Sequence, residues 1–200
     1  MFPLGSVLFP HLILPLHVFE DRYRQLMRDC LDGDRRFGVV LIDRGHEVGG
    51  GDRRTELGTI AHIAEAEQAD DGRWAVLAVG KTRCRIVEWL PDDPYPRAVV
   101  EEVAEGGWSI EADDLSETAE RAVRRSLAML AELDEPAAPI NVALSDDRSA
   151  ASWQLVAISP LGPLDRQRLL GIDDPAERMG RFAELMDEEC QVLANRLSAG

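Results

Sequence analysis

The chain has 200 residues, of which 45% are hydrophobic, and 37 acidic residues against 22 basic ones give a formal net charge of -15. This length suits one large domain or two small ones, and the hydrophobic fraction is sufficient for a buried core. A surface this negative repels phosphate backbones and anionic lipids, which disfavours nucleic acids and membranes as partners.

The first nineteen residues predict short extended segments. Pro3, Pro10 and Pro15 interrupt an apolar run, and a proline inside a helix removes a hydrogen bond and clashes with the preceding turn. A helix is expected from about Glu20 to Leu31, because apolar residues recur there three and four positions apart. Its predicted inward side chains are Tyr23, Leu26, Met27, Cys30 and Leu31.

The next seventy residues have the pattern of a β-rich domain. Strands are expected at 36–43, 57–67, 74–79, 83–90 and 95–103. A turn at Asp70–Gly72 predicts a hairpin, and residues 45–54, with three consecutive glycines, predict a loop. Several short strands at this spacing indicate a small barrel or a sandwich.

After Glu105 the apolar spacing becomes helical. Ser116 is the predicted N-cap of a first long helix, and shorter helices are expected at 149–159 and 164–170. Asp174, Pro175 and Glu177 form a capping-box pattern before a last helix. The chain is therefore predicted to be α+β, with a β-rich part at 1–105, a linker at 106–113 and helices at 114–200.

The order of these motifs resembles one known family. The motifs are Phe2-Pro3-Leu4, Val7-Leu8-Phe9-Pro10, the run from Leu14 to Glu20, Arg36 to Ile42, Leu57 to Ala61, Arg83 to Ile86 and Asp174-Pro175. They are similar to the LON domain, the N-terminal substrate-binding domain of ATP-dependent Lon proteases. His11 and Asp21 stand where that family more often has glycine and proline. The resemblance covers nearly the whole chain and implies an N-terminal PUA-like pseudo-barrel with one helix, then a C-terminal α-helical bundle.

Motifs that could support catalysis are incomplete. Gly80-Lys81-Thr82 resembles the end of a phosphate-binding loop, but Ala75 stands where that loop needs its first glycine. Lys81 is the single lysine, so a Ser-Lys dyad would have to be built in a strand, and no G-x-S-x-G motif occurs. The four histidines lack metal-binding spacing. We expect no catalytic residue, metal, nucleotide or other cofactor, and nothing after residue 100 resembles the ATPase or peptidase regions of Lon.

These observations favour a non-catalytic polypeptide-binding module connected with protein quality control or proteolysis. The expected partners are unfolded or damaged polypeptides, together with a separate protease or chaperone. The alternative is an RNA-binding PUA-like protein, which the net charge disfavours. We expect a cytoplasmic location, because the N-terminus does not fit a signal peptide, no apolar stretch is long enough to span a membrane, and the three cysteines show no paired spacing.

Two groups of residues in the opening segment are candidates for the site. The candidate polypeptide contacts are Leu8, Phe9, Leu12 and Ile13, although each is favoured as a core residue over a contact. Glu20, Arg22 and Tyr23 are interpreted as structural, with Glu20 accepting N–H bonds at the helix start and Tyr23 packing on the barrel. Single-site affinity is expected to be on the order of 10 μM or weaker and to depend little on salt, since apolar contact would dominate.

Overall fold

The computed structural model describes residues 1–44 and 53–199. His46 and most of the loop predicted at 45–54 lie outside these residues. The chain divides into two compact units, Met1–Ala104 and Glu105–Gly200. The division falls next to the predicted change at residue 105, although whether each unit folds alone as a domain stays a prediction.

The first unit combines one helix with one mixed sheet. Among the residues described, its elements are β1 (Phe2–Leu4), β2 (Ile13–Val18), α1 (Asp21–Asp32), β3 (Arg36–Arg44), β4 (Arg53–Gln68), β5 (Trp74–Leu90) and β6 (Arg97–Val103). The strand order is β1-β3-β4-β5-β2, and β6 also pairs with β5. β1 runs parallel to β3, while every other described pair is antiparallel. With the helices of the second unit, the protein is α+β.

Strand β5 is the longest of the described strands and pairs with both β2 and β6. Its first part pairs with β2 and its second part with β6. The prediction of two separate strands at 74–79 and 83–90 is therefore wrong. Gly80 lies between the two parts, where its N–H donates to the Leu12 carbonyl and its carbonyl accepts from His11 N. A Cβ at this position would lie 2.2 Å from the Phe9 carbonyl oxygen, so the glycine permits close approach of the chain rather than a turn.

The core of the first unit lies between the inner face of the sheet and α1. The predicted inward face of α1 is confirmed for Tyr23, Leu26, Met27 and Cys30, which are buried. They pack with sheet residues of the same hydrophobic cluster, which include Leu16, Val18, Ile63, Val76 and Ala78. The Tyr23 ring stacks on the Phe2 ring, with centroids 4.3 Å apart.

The second unit contains four helices among its described residues. They are α2 (Ile110–Glu132), α3 (Arg148–Ile158), α4 (Pro163–Leu170) and α5 (Pro175–Ala199). The predicted cap of α5 is confirmed, because the Asp174 carboxylate accepts from Glu177 N at 2.9 Å. The predicted cap of α2 at Ser116 is wrong. Ser109 is the N-cap, its hydroxyl accepts from Ala112 N at 3.1 Å, and residues 110–113 are helical rather than linker.

Helices α2 and α5 pack against each other through apolar side chains spaced three or four residues apart. Ala119, Ala122, Val123, Leu127 and Leu130 are buried on α2, and Met179, Phe182, Met186, Cys190 and Leu193 on α5. These residues match the predicted inward stripes. The stripes end at Leu133 and Leu197, which are half-buried.

Candidate functional site

The outward face of β2 forms an apolar surface. Leu14, Leu16 and Val18 turn towards the core, so the alternating residues Ile13, Pro15 and His17 face outward and are exposed. Phe19 follows the strand and is 55% exposed, and Ile13 is 64% exposed. Because β2 ends the main strand order, one side of it has no strand partner among the described residues.

A groove runs beside β2 across the neighbouring strands. In the sheet register, His17 lies opposite Ala75, which lies opposite Glu67, and Pro15 lies opposite Leu77, which lies opposite Glu65. Adjacent strands are about 4.8 Å apart, so the side chains of β2 and β4 stand roughly 10 Å apart across β5. We call this the β2 groove. Its walls and floor are formed by Pro15, His17, Phe19, Glu65, Glu67, Ala75 and Leu77.

Two adjoining pockets deepen the β2 groove. They have volumes of about 430 and 420 Å³ and share His17, Glu67 and Ala75. The small Ala75 side chain creates the depth between the two walls. A third pocket of about 200 Å³ lies beside β2 and is lined by residues of β1, β2 and α1, including Phe2, Leu16 and Tyr23. Strand β2 is thus flanked by concave apolar surface, which is the usual form of a binding site.

Some charged side chains around the β2 groove form ion pairs and others do not. Arg73, at one end, donates to the Asp71 carboxylate at 2.7 Å, and this hydrogen bond lowers the pKa of Asp71. Glu65 and Glu67, which are both exposed, form no ion pair within residues 1–44 and 53–199. The wall on β4 is therefore negative, opposite a β2 wall of Pro15, His17 and Phe19.

The four candidate contacts divide between the core and the surface. Leu8 and Phe9 are buried, with exposures of 6% and 1%, so they present no binding surface in this structure. The Leu8 carbonyl accepts from the Thr59 hydroxyl at 2.6 Å, which fixes this segment against β4. Leu12 is half-buried and Ile13 is exposed. Leu8 and Phe9 thus lie in the core, which is the role favoured for them, while Leu12 and Ile13 stay candidate contacts.

Most residues of the β2 groove are not among the candidates that the sequence indicates. Pro15, His17 and Phe19 could have been found from the alternation of residues 13–18, which separates an inner from an outer face. Glu65, Glu67 and Ala75 could not, because they join the site only through the register of β4 and β5. Identifying them requires the pairing of strands, which the residues alone do not give.

Glu20, Arg22 and Tyr23 hold the start of α1. The Glu20 carboxylate makes no capping hydrogen bond, contrary to the prediction, and accepts from Arg22 Nε at 3.0 Å instead. The Arg22 guanidinium lies 4.4 Å from the centre of the Tyr23 ring, in cation–π contact. The buried Tyr23 ring connects this pair to β1 through Phe2.

The residues weighed as catalytic lie in ordinary secondary structure. Gly80, Lys81 and Thr82 are within β5, where Gly80 and Thr82 pair with β4 and Lys81 lies between them at a register irregularity. Across 1–44 and 53–199, no group of three or more His, Cys, Asp or Glu side chains is placed to hold a metal ion. None of the helices in the described parts of the chain has the length and apolar character needed to cross a membrane.

Comparison with known proteins matches this chain to LON domains. Residues 1–188 match the family described as the ATP-dependent protease La (LON) substrate-binding domain. Lon protease 2 of Herpetosiphon aurantiacus is 29% identical over 95% of this chain, which spans 23% of that protease. A LON peptidase N-terminal domain and RING finger protein of Schizosaccharomyces pombe is 25% identical over 88% of this chain and 42% of its own length.

Solved structures show the same fold. The crystal structure of a Lon N-terminal domain protein from Xanthomonas campestris is 28% identical, with a TM-score of 0.60, and the match covers 89% of this chain and 92% of the other. The N-terminal domain of the Mycobacterium avium complex Lon protease has a TM-score of 0.61 at 20% identity, covering 94% and 96% of the two chains, which supports the fold alone. With a family match over most of its length, the chain belongs to the LON substrate-binding domain family.

Proposed function

We propose that this chain is a non-catalytic polypeptide-binding module that takes extended apolar segments of unfolded or damaged polypeptides into the β2 groove. The observation that carries the proposal is the concave apolar surface beside β2, with Phe19 exposed in its lining and Ile13 exposed on the outward face of the strand. The family's description as a substrate-binding domain of a protease supports a polypeptide ligand.

The shape of the groove suits an extended chain. Side chains on one face of an extended segment recur every 6 to 7 Å or so, and the two adjoining pockets share three residues, so successive side chains can enter both. Burying one apolar side chain contributes about 1.5–3 kcal/mol. Two or three such contacts, reduced by the entropy of ordering the client, give single-site affinity on the order of 10 μM or weaker.

The wider role follows from the same assignment. We propose that the two units are a PUA-like pseudo-barrel and a helical bundle, and that the module works in the cytoplasm without a cofactor. Its place is in protein quality control or proteolysis, where a separate protease or chaperone would act on the client it holds. The Lon proteases that it matches are about four times longer than the matched region, and their activity is not carried over.

RNA binding is the competing function, because PUA-like barrels elsewhere bind RNA. The net charge of -15 and the acidic wall of the β2 groove both repel a phosphate backbone. A gel shift with bulk RNA at low salt separates the two functions. A shift at micromolar protein would support the RNA-binding function instead.

Substitution of Phe19 tests the proposed function. Phe19→Asp places a charge at the margin of the groove and removes an apolar contact. We expect affinity for a fluorescently labelled unfolded protein to fall about tenfold or more, since the lost burial is roughly 1.5–3 kcal/mol. Fluorescence anisotropy measures the affinity, and circular dichroism checks that the variant remains folded.

The matched control is Val192→Asp, on α5. Val192 is 52% exposed, close to the 55% of Phe19, and the substitution adds the same charge. We expect the control to bind the client as the natural chain does. Equal affinity of the natural chain and a folded Phe19→Asp variant would place the binding surface elsewhere.

A further inference from the structure

We infer that the preferred clients carry lysine or arginine next to their apolar residues, because one wall of the β2 groove is acidic and unneutralised. This inference rests on the proposed function and specifies the chemistry of its ligand. It predicts discrimination among segments that are equally apolar. The partner is thus a cationic, extended, apolar polypeptide segment.

The register of the sheet brings the apolar and acidic groups together. Glu65 and Glu67 are alternate residues on β4 and face the same side as Ala75 and Leu77, their partners on β5. The pockets that touch Ala75 also touch Glu67, so a client side chain on the floor of the groove lies beside a carboxylate. A lysine has an apolar stem and a charged end, and it can follow the floor while its ammonium reaches this wall.

Other charges near the groove do not cancel this wall. The Arg73 guanidinium is engaged by Asp71, and the Arg22 guanidinium by Glu20. Each of these two pairs is close to neutral as a unit. Glu65 and Glu67 remain with no basic partner among residues 1–44 and 53–199. The local charge has the same sign as the net charge of the chain, so both favour a cationic ligand.

The acidic wall selects among clients, while the apolar surface provides most of the affinity. Exposed ion pairs are weak and screened by salt, so the discrimination is expected to be modest. We expect the affinity of a lysine-flanked segment to exceed that of a glutamate-flanked one by about fivefold to twentyfold at low salt, with a neutral segment between them. For neutral clients, the small salt dependence expected from the sequence remains.

Three labelled peptides test the inference. They share one alternating leucine–serine core and carry two lysines, two glutamines or two glutamates on each side. Fluorescence anisotropy with the full chain gives their dissociation constants at low and at high salt. The expected order of affinity is lysine, glutamine, glutamate, and this spread narrows as salt is added.

Two double variants establish which carboxylates are responsible. Glu65→Gln with Glu67→Gln should reduce the spread between the lysine and glutamate peptides to less than about threefold. The control is Glu88→Gln with Glu101→Gln, which removes two exposed carboxylates from strands β5 and β6. This control should keep the full spread.

The outcomes separate this inference from the proposed function. Equal binding of the three peptides, still weakened by Phe19→Asp, would overturn the cationic preference and leave the polypeptide-binding function standing. A spread that persists in the Glu65→Gln and Glu67→Gln variant would also overturn the inference. If no peptide or unfolded protein binds at all, the proposed function itself is wrong.

Discussion

A fully buried arginine holds several parts of the second unit together. Arg178, on α5, donates to the Glu105 carboxylate at 2.6 Å and to the Ile172 carbonyl at 3.4 Å. Its guanidinium lies 3.9 Å from the centre of the buried Trp153 ring on α3. A buried ion pair is costly to break, because the remaining partner loses both water and its counter-ion. Arg178 therefore fixes the start of the second unit to α3 and α5.

Substitution of this pair measures its contribution. Arg178→Met leaves the Glu105 carboxylate, which is 25% exposed, without its guanidinium, and we expect the free energy of unfolding to fall by about 2–4 kcal/mol. Glu105→Gln leaves the buried guanidinium without a counter-charge and should also destabilise. The double variant should lose less than the sum of the two single losses, because the partners interact directly. Urea unfolding followed by circular dichroism gives all three values.

An exposed arginine provides the comparison. Arg125 donates to Asp187 at 2.9 Å, but both side chains are more than half exposed. Arg125→Met should change stability by less than about 1 kcal/mol, since exposed pairs contribute little. A cost for Arg178→Met as small as that for Arg125→Met would show that the buried contacts are not stabilising.

The three cysteines are expected to be unreactive in the folded protein. Cys30, Cys84 and Cys190 are buried free thiols. Burial raises the pKa of Cys30 and of Cys84 to about 11, so at pH 7.5 fewer than roughly one in a thousand of these two is the reactive thiolate. Ellman's reagent should detect less than one thiol within minutes in buffer and three in denaturant. Rapid reaction of any thiol in the native protein would contradict this placement.

At the scale of elements, amphipathic helices could be predicted and strand limits could not. The apolar residues of α1 and α5 recur every three or four positions, so each helix has a single apolar face that can pack on a core. The continuity of β5 depends on the approach of Phe9 to Gly80, which is a tertiary contact. The start of α2 could not be predicted, because Ser109 and Ser116 are both residues of a type that caps helices. Trp108 comes before α2, and its indole N–H donates to the Asp113 carboxylate. It does not belong to the apolar repeat of α2.

A side-chain hydrogen bond connects helix α1 to the segment before β6. The Tyr95 hydroxyl donates to the Asp29 carboxylate at 2.7 Å. The hydrogen bonds from Tyr95 and Gln25 lower the pKa of Asp29, and burial with the Asp29 interaction raises the pKa of Tyr95 to about 12. The stabilisation is therefore present between the ordinary values of about 4 and 10, is lost as pH falls through the lowered Asp29 pKa, and is lost as pH rises towards 12.

Tyr95→Phe removes this bond and keeps the ring. We expect the free energy of unfolding to fall by about 1 kcal/mol at pH 7. The loss should be smaller at pH 3, because below the ordinary aspartate pKa of about 4 the unfolded chain binds a proton at Asp29 and the natural chain has already lost part of this stabilisation. Guanidinium unfolding of both chains at the two pH values gives the difference. A cost that is equal at pH 7 and pH 3 would show that the Asp29 charge takes no part.

At the scale of the whole molecule, the α+β class and the change from strands to helices near residue 105 could be predicted from the sequence. The proposed binding surface could be predicted only in part. Composition and periodicity are local properties and indicate which segments are strands or helices. Apolar residues in the opening segment are equally suited to the core and to a ligand, so Leu8 and Ile13 could not be distinguished by type. Their positions became clear only when the fold showed which face each one occupies.

Strand β5 pairs with β2, β4 and β6, and the order in which these pairs can form depends on how far apart the strands are in the chain. The β5–β6 and β4–β5 pairs join residues that are close in the chain, whereas β2 must return to β5 from far away, as in the pair of Val18 with Trp74. Closing the longer loop costs more entropy, so β2 is expected to dock last. Until β2 docks, residues 74–79 form an unpaired apolar edge of the sheet, and such an edge can pair with a strand of a second copy. The folding chain is therefore open to pairing with a strand of another copy until β2 covers this edge.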